Sequence, residues 1–217
     1  MRENDLITIE NFLENKEEML DVKEEPFEKL MFFYKSALNQ LITQMNIIKD
    51  EFQIMYNYDL IDHIDTRIKE PKSIVKKMEK KKYDKTYLNL IDKINDIAGM
   101  RIICTLKDDI FFIRDLIKQM PELHILKVKD YVTTPKPSGY SSYHMIVEVP
   151  VKLTQKTIYV KCEIQIRTLA MDFWASFEHK VKYKTEQNVS KKTSKELVTC
   201  AKMINKFDDK MIFLKNV

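Results

Sequence analysis

The chain has 217 residues, 44% of them apolar, enough to bury one sizeable core with helical appendages. A net charge of +4 with 32% charged residues suits anionic substrates but is too small by itself to indicate a nucleic-acid binder. Three cysteines without CxxC spacing, Cys104, Cys162 and Cys200, argue against a disulfide frame or a zinc site.

They read instead as reduced, packed thiols of a cytoplasmic protein. No signal peptide opens the chain, and no apolar run has the length of a membrane span. Charge is uneven: glutamate dominates residues 10–28, while lysine and arginine crowd residues 67–85. The only glycines, Gly99 and Gly139, mark places where the backbone must be small or bent.

In chain order, the acidic stretch to Glu25 has weak periodicity and predicts a peripheral N-terminal helix. Phe27, Leu30, Tyr34, Leu38, Leu41, Met45, Ile48, Phe52 and Met55 then recur at three- and four-residue steps, predicting one long amphipathic helix from Pro26. Pro71 suits a first helical turn, so a second helix is expected to run to about Lys82. Residues 97–105 read as a buried strand, followed by a helix capped by Asp108 or Asp109 and ending near Pro121. Residues 124–129, 143–149 and 157–167 are three further strands, with an ordered loop at 133–139. Thr168 to about Tyr183 returns to helix. A last helix carries Leu197, Cys200, Ile204, Phe207, Met211 and Leu214 on one stripe. The fold class is α/β: a small mixed sheet between helices.

Four features carry chemistry. In the strand at 157–167, Ile158, Val160, Cys162, Ile164 and Ile166 alternate with Tyr159, Lys161, Glu163, Gln165 and Arg167. The second set shows a carboxylate, an amide and a guanidinium in a row, which alone is more plainly read as an ordinary solvated face. Asp96, at the mouth of the 97–105 strand, supplies a second carboxylate, and Arg101 interrupts that strand's apolar run. A buried arginine needs an anion or a flat ring. Two carboxylates on neighbouring strand ends suit Mg²⁺, which takes one or two protein oxygens and completes its shell with phosphate and water. A structural Asp96–Arg101 pair is the alternative.

Arg67 and Lys69 precede a helix start, and Ser73, Lys77 and Lys81 share one stripe of that helix. Together they read as a polyphosphate cradle or, more plainly, as an exposed lysine-rich helix. In the segment 136–144, Gly139 allows a bend and Tyr140 suits stacking on a nucleobase beside Lys136. Tyr140 could equally be a core aromatic, and His144 alone reads as a structural hydrogen-bonding residue.

RIKEPKSIVKKM (67–78), DIAGMRIIC (96–104), KVKDYVTTPKPSGYSSYH (127–144) and EIQIRTLAMDFWASFEHKVKYK (163–184) together resemble the synthetase domain of the RelA/SpoT alarmone family, above all its small, single-domain members. The resemblance implies a nucleotidyltransferase-like mixed sheet flanked by helices, with long N- and C-terminal helices. It implies Mg²⁺-dependent transfer of the β,γ-diphosphate of ATP to the 3′-hydroxyl of GDP or GTP, with GMP a further acceptor, giving (p)ppGpp of the stringent response and AMP.

By the same resemblance, Arg67 and Arg101 sandwich adenine while Lys69, Ser73 and Lys77 hold the ATP phosphates. Asp96 and Glu163 bind the metal, and Glu163 takes the hydroxyl proton. Tyr140 stacks on guanine, with Lys129, Lys136, His144, Gln165 and Asp172 around the acceptor nucleotide. Three departures stand out: lysines at 127 and 129 where many relatives place an arginine, Ser141 where close relatives often carry arginine, and Asp172 where several have asparagine.

No hydrolase His-Asp motif and no regulatory C-terminal domains are seen, so a synthetase-only enzyme is expected. Its parts are a 1–25 extension, a 26–184 synthetase domain and a 185–217 C-terminal helix for oligomerisation. Homotetramers of close relatives imply a homo-oligomer here. Two rivals are a toxic relative that modifies adenine nucleotides or tRNA, and a non-catalytic RNA-binding protein using the 67–85 surface.

Overall fold

The strand β6 (Thr157–Thr168) is the spine of the molecule, twelve residues long with strictly alternating burial up to Ile166. A computed structural model describes residues 6–9, 17–184 and 189–215. Ahead of β6 in the chain come β1 (Leu6–Thr8), α1 (Glu25–Tyr56), β2 (His63–Ile68), α2 (Pro71–Lys81) and α3 (Tyr87–Lys93). They are followed by β3 (Ala98–Cys104), α4 (Lys107–Gln119), β4 (His124–Asp130) and β5 (Tyr143–Lys152). After β6 come α5 (Leu169–Lys184) and α6 (Lys191–Lys215).

The sheet order is β2-β3-β6-β5-β4, with β1 added on β6. β3 and β1 run parallel to β6, and every other pairing is antiparallel. β5 pairs with β6 from Thr157 to Ile166, whereas β3 pairs with it only from Glu163 onward. β1 takes the part of that edge left open, pairing Leu6–Thr8 with Thr157–Tyr159.

One face of the sheet is apolar. Met100, Ile102, Met145, Val147, Cys162, Ile164 and Ile166 are buried there, against α1, which packs on β3, β5 and β6. α4 lies beside α1, with Phe112 edge-on to Phe52 at 5.4 Å. The sequence explains α1 well: a proline in the first turn, Glu25 and Glu28 at the positive end of the helix dipole, and left-handed Asn57 closing it. Its predicted stripe is buried from Phe27 to Ile48, so this seam is helix against sheet. Among the described residues no helix is long and apolar enough to cross a membrane.

Several expectations change. Leu6–Thr8 is a strand where an N-terminal helix was expected, since a β-branched stretch finds the free edge of β6; residues 10–16 lie outside the described residues, and 17–24 form turns and a bridge of Met19 to Thr86. β2 was not foreseen, being a short edge strand of charged and apolar alternation. Nor was α3, whose start is capped by Thr86. Asp109 caps α4 from inside its first turn, accepting from the Leu106 N–H at 3.3 Å. Cys104 and Cys162 are buried free thiols, but Cys200 is exposed.

The stripe predicted on α6 is not a packed seam within the chain. Leu197 is buried, while Phe207 and Leu214 are each 54% exposed. α6 is fastened mainly by polar groups: Lys107 Nζ donates to Asn205 and Asp209, both at 2.8 Å, and Thr168 Oγ1 donates to the buried Asp208 at 2.8 Å. Gly139 makes close contact with the same helix. Its φ is +90°, and a Cβ there would stand 2.5 Å from that of Ala201, so glycine is required twice over.

Burial pushes the Asp208 carboxyl up from 3.8 to about 6, against the Thr168 hydrogen bond and Lys107, which pull it down. The folded protein therefore holds this proton more tightly than the unfolded chain. The ionised form costs stability as pH rises from about 4 through about 6, and the cost persists above that window. Asp208→Asn keeps an acceptor for Thr168 and removes the charge. Chemical denaturation across pH 4–8 should show the variant more stable at pH 7, by roughly 2 kcal/mol, and level with wild type at pH 4.

Candidate active site

The other face of the sheet is polar, and register alone assembles it. Across the strands, one row reads Arg67, Gly99, Glu163, Ile146 and Lys127, and the next reads Asp65, Arg101, Gln165, His144 and Lys129. Because strand side chains alternate, both rows rise from the face opposite α1. Gly99 contributes no side chain, and a cleft of about 260 Å³ opens over it, lined by Asp65, Arg67, Arg101, Glu163 and Gln165 among others. A second cleft of about 150 Å³ is lined by Lys77, Lys93, Asn95, Asp96, Lys127, Lys129, His144, Ile146 and Glu163. Glu163 borders both.

Asp96 stands two residues before β3. The backbone N–H of Lys69 donates to the Ile97 carbonyl at 2.8 Å, which brings the end of β2 beside it. Lys69 and Lys77 then close on its carboxylate at 2.9 and 2.8 Å. Burial raises the Asp96 pKa, but the two ammonium groups outweigh it and hold the carboxyl below the ordinary aspartate value. The expected alternative pairing with Arg101 is not made: Arg101 goes to Asp172 at 3.1 Å and, more distantly, to Asp65. Ser73 sits exposed on the first turn of α2, and Arg67 is exposed at the cleft edge.

Glu163 is likewise held ionised. Desolvation pushes it up, while His144 and, less strongly, Gln165 bring it below the usual glutamate value. A carboxylate only accepts, so His144 Nδ1 carries the proton it gives to Glu163 at 3.3 Å. His144 Nε2 and the Tyr140 hydroxyl share a hydrogen bond at 2.8 Å. Gln165 donates its amide to Glu163 at 2.9 Å.

Behind these groups lies Arg167, whose side chain is only 5% exposed. It donates to Tyr140 Oη at 2.6 Å, Gln165 Oε1 at 2.7 Å, Asp172 at 3.0 Å and Ser142 at 3.3 Å. The Lys136 ammonium lies 4.6 Å from the centre of the Tyr140 ring and 4.5 Å from that of Tyr131. Sequence reasoning placed Arg167 in the polar row of this strand but gave it no role, and missed that it joins Tyr140 to Gln165. The signal was available: Arg167 follows Glu163 and Gln165 in the alternation, where a solvated outer face was the plain reading. Lys93 and Asn95 of the second cleft were also missed, and Lys127 was noted only as a lysine where many relatives place an arginine.

Asp172, expected beside a bound base, is engaged by two guanidinium groups in the first turn of α5. Thr168 caps this helix, accepting from the Met171 N–H at 3.1 Å.

A profile of the region found in RelA and SpoT proteins matches residues 66–188. Over 191 residues the chain is 44% identical to GTP pyrophosphokinase YwaC of Bacillus subtilis, covering 88% of this chain and 91% of that protein. The crystal structure of small alarmone synthetase 2 from Bacillus subtilis superposes with a TM-score of 0.80 at 43% identity, covering 88% of this chain and 99% of that one. Small alarmone synthetase 1 from the same organism, bound to its product pppGpp, superposes with a TM-score of 0.81 at 30% identity, covering 89% and 98% respectively.

Removing the buried guanidinium leaves Tyr140, Gln165 and Ser142 short of a donor and Asp172 short of a cation. Arg167→Leu should cost about 3 kcal/mol or more in thermal or denaturant unfolding. A loss under about 1 kcal/mol would mean that water replaces the arginine.

Proposed function

This chain belongs to the RelA/SpoT family, and from that premise we propose that it is a synthetase-only GTP/GDP pyrophosphokinase, transferring the β,γ-diphosphate of ATP to the 3′-hydroxyl of GDP or GTP. The observation that carries this reading is the place of Glu163. An ionised carboxylate forms a wall common to a cleft edged by two arginines and a cleft crowded with lysines.

In this reading adenine lies over Gly99 between Arg67 and Arg101, and its phosphates run toward Lys69, Ser73 and Lys77. The acceptor base stacks on Tyr140, with Lys136, Lys129, His144 and Gln165 about the nucleotide. The 3′-hydroxyl oxygen attacks the β-phosphorus of ATP, the bond from that phosphorus to the α,β-bridging oxygen breaks, and AMP leaves. Glu163 receives the hydroxyl proton. Such transfer needs positioning and charge neutralisation more than covalent help.

Asp96 and Glu163 suit Mg²⁺: both are hard oxygen donors kept ionised along one cleft. Among the described residues no group of three or more His, Cys, Asp or Glu is placed to hold a metal, so phosphate oxygens and water would complete the shell. When bound, the ion supplies charge neutralisation and acidifies the attacking hydroxyl. Lys69 and Lys77 turn inward to Asp96, which favours a phosphate site over a basic surface for RNA. A cytoplasmic homotetramer fits the free cysteines and the exposed Met203, Phe207 and Leu214 of α6.

The deciding assay gives the protein Mg²⁺, β,γ-labelled ATP and, separately, GMP, GDP, GTP, ATP and tRNA. Label on the 3′-position of GDP or GTP with release of AMP is expected; label on adenine nucleotide or tRNA alone would replace this reading. Glu163→Gln and Asp96→Asn should each lose more than ~2–3 kcal/mol of transition-state stabilisation. A near-wild-type rate from either sinks the assignment. Gly99→Val tests the adenine cleft separately. The nearest atoms to a Cβ there are the Arg67 side chain and carbonyl, at 3.7 Å or more, so the chain should fold. The added methyls enter the cleft, and KM for ATP should rise roughly tenfold or more while KM for the acceptor holds.

A further inference from the structure

Two guanidinium groups converge on one oxygen of Asp172. Oδ1 accepts from Arg167 Nη1 at 3.0 Å and is ion-paired with Arg101 Nη1 at 3.1 Å. The two arginines serve different sides of the site. Arg101 lines the cleft over Gly99 together with Arg67. Arg167 fixes the Tyr140 hydroxyl and the Gln165 amide, and Gln165 in turn donates to Glu163.

We propose that Asp172 is a positioning residue that couples the two nucleotide subsites, so that occupation of the adenine cleft orders the acceptor platform. The inference rests on the assignment of those subsites above. Its physical basis is the shared oxygen. Arg101 is partly exposed, with a side chain 30% accessible and its firmest partner on Asp172. A base stacked against Arg101 immobilises that guanidinium, and the same carboxylate oxygen then holds Arg167 more narrowly. Tyr140 and Gln165 follow, because both hang on one Arg167 nitrogen. Ordering already accomplished by the first ligand is not required of the second, which is positive coupling.

Placement at the start of α5 supports the role. Asp172 lies in the first turn of α5, which the Thr168 cap holds in place. Aspartate also matters as a charge, since it is the anion between two cations held close together. An asparagine would offer one oxygen to both but leave their repulsion uncompensated.

The test measures GDP binding calorimetrically, with Mg²⁺, in the absence and presence of saturating α,β-methylene ATP. Wild type should bind GDP about fivefold or more tightly when the analogue is present. In Asp172→Ala that ratio should fall to about 1, and in Asp172→Asn to an intermediate value. Inosine diphosphate, which lacks the 2-amino group, supplies the competing outcome. If Asp172 instead read the guanine edge, Asp172→Ala would erase the preference for GDP over inosine diphosphate and keep the wild-type ratio. That result overturns the proposal, as does wild-type protein that binds both nucleotides without coupling. Wild type that binds neither overturns the proposed activity as well. Should Asp172→Ala fail to fold, Asp172→Asn with an undiminished ratio is equally fatal.

Discussion

A buried guanidinium has to be surrounded by acceptors, and the site of this protein is in large part the set of groups that surround Arg167. The cost of stripping water from such a charge is several kcal/mol unless its N–H groups are met. Four side chains from three places meet them: Tyr140 and Ser142 from the loop before β5, Gln165 from its own strand, and Asp172 from the first turn of α5. The demand of one residue for partners thus sets where the loop closes and how the helix enters. It also starts a chain of contacts: Arg167 gives to Tyr140, Tyr140 and His144 share a hydrogen bond, and His144 gives to Glu163, so the guanidinium is linked to the carboxylate.

Register supplies the rest. Parallel pairing of β3 with β6 sets Gly99 against Glu163, and a one-residue slip would exchange that gap for the Met100 side chain. Antiparallel pairing of β5 and β4 sets His144 and Lys129 on the next row. The result is a strip of the sheet where anion-seeking and cation-seeking groups alternate over short distances. Asp96 and Glu163 remain charged despite burial because each has a dedicated partner set, two lysines for one and His144 with Gln165 for the other.

What the sequence disclosed followed the strength of its periodic signals. The stripe of α1, the proline start of α2 and the alternation of β6 each repeat one physical demand many times, and all three elements form where expected. β2 and α3 repeat theirs too few times to be seen. The α6 stripe was visible as a pattern, but periodicity states only that a face is apolar, and the chain leaves most of that face uncovered. Site residues were legible as types at a spacing. Their pairings were not: Arg101 was weighed against Asp96, yet the register of β2 and β3 delivers Asp65 and Lys69 to those two residues instead, and α5 brings Asp172. Long-range partners depend on the crossover from β3 to β6, for which local pattern has no symbol.

The same logic changes the meaning of the C-terminal helix. Thr168 ends β6 and begins α5, and its single hydroxyl both caps α5 and donates to Asp208 of α6. The α5 turn so fixed carries Asp172. The Gly139 bend, which aims Tyr140, rests against Ala201 and Trp174, and Trp174 donates to the Leu197 carbonyl at 2.9 Å. α6 therefore braces both arms that reach Arg167: the helix turn with the carboxylate and the loop with the tyrosine. The exposed face of α6 thus belongs to a helix that is tied through Thr168 to the α5 turn carrying Asp172.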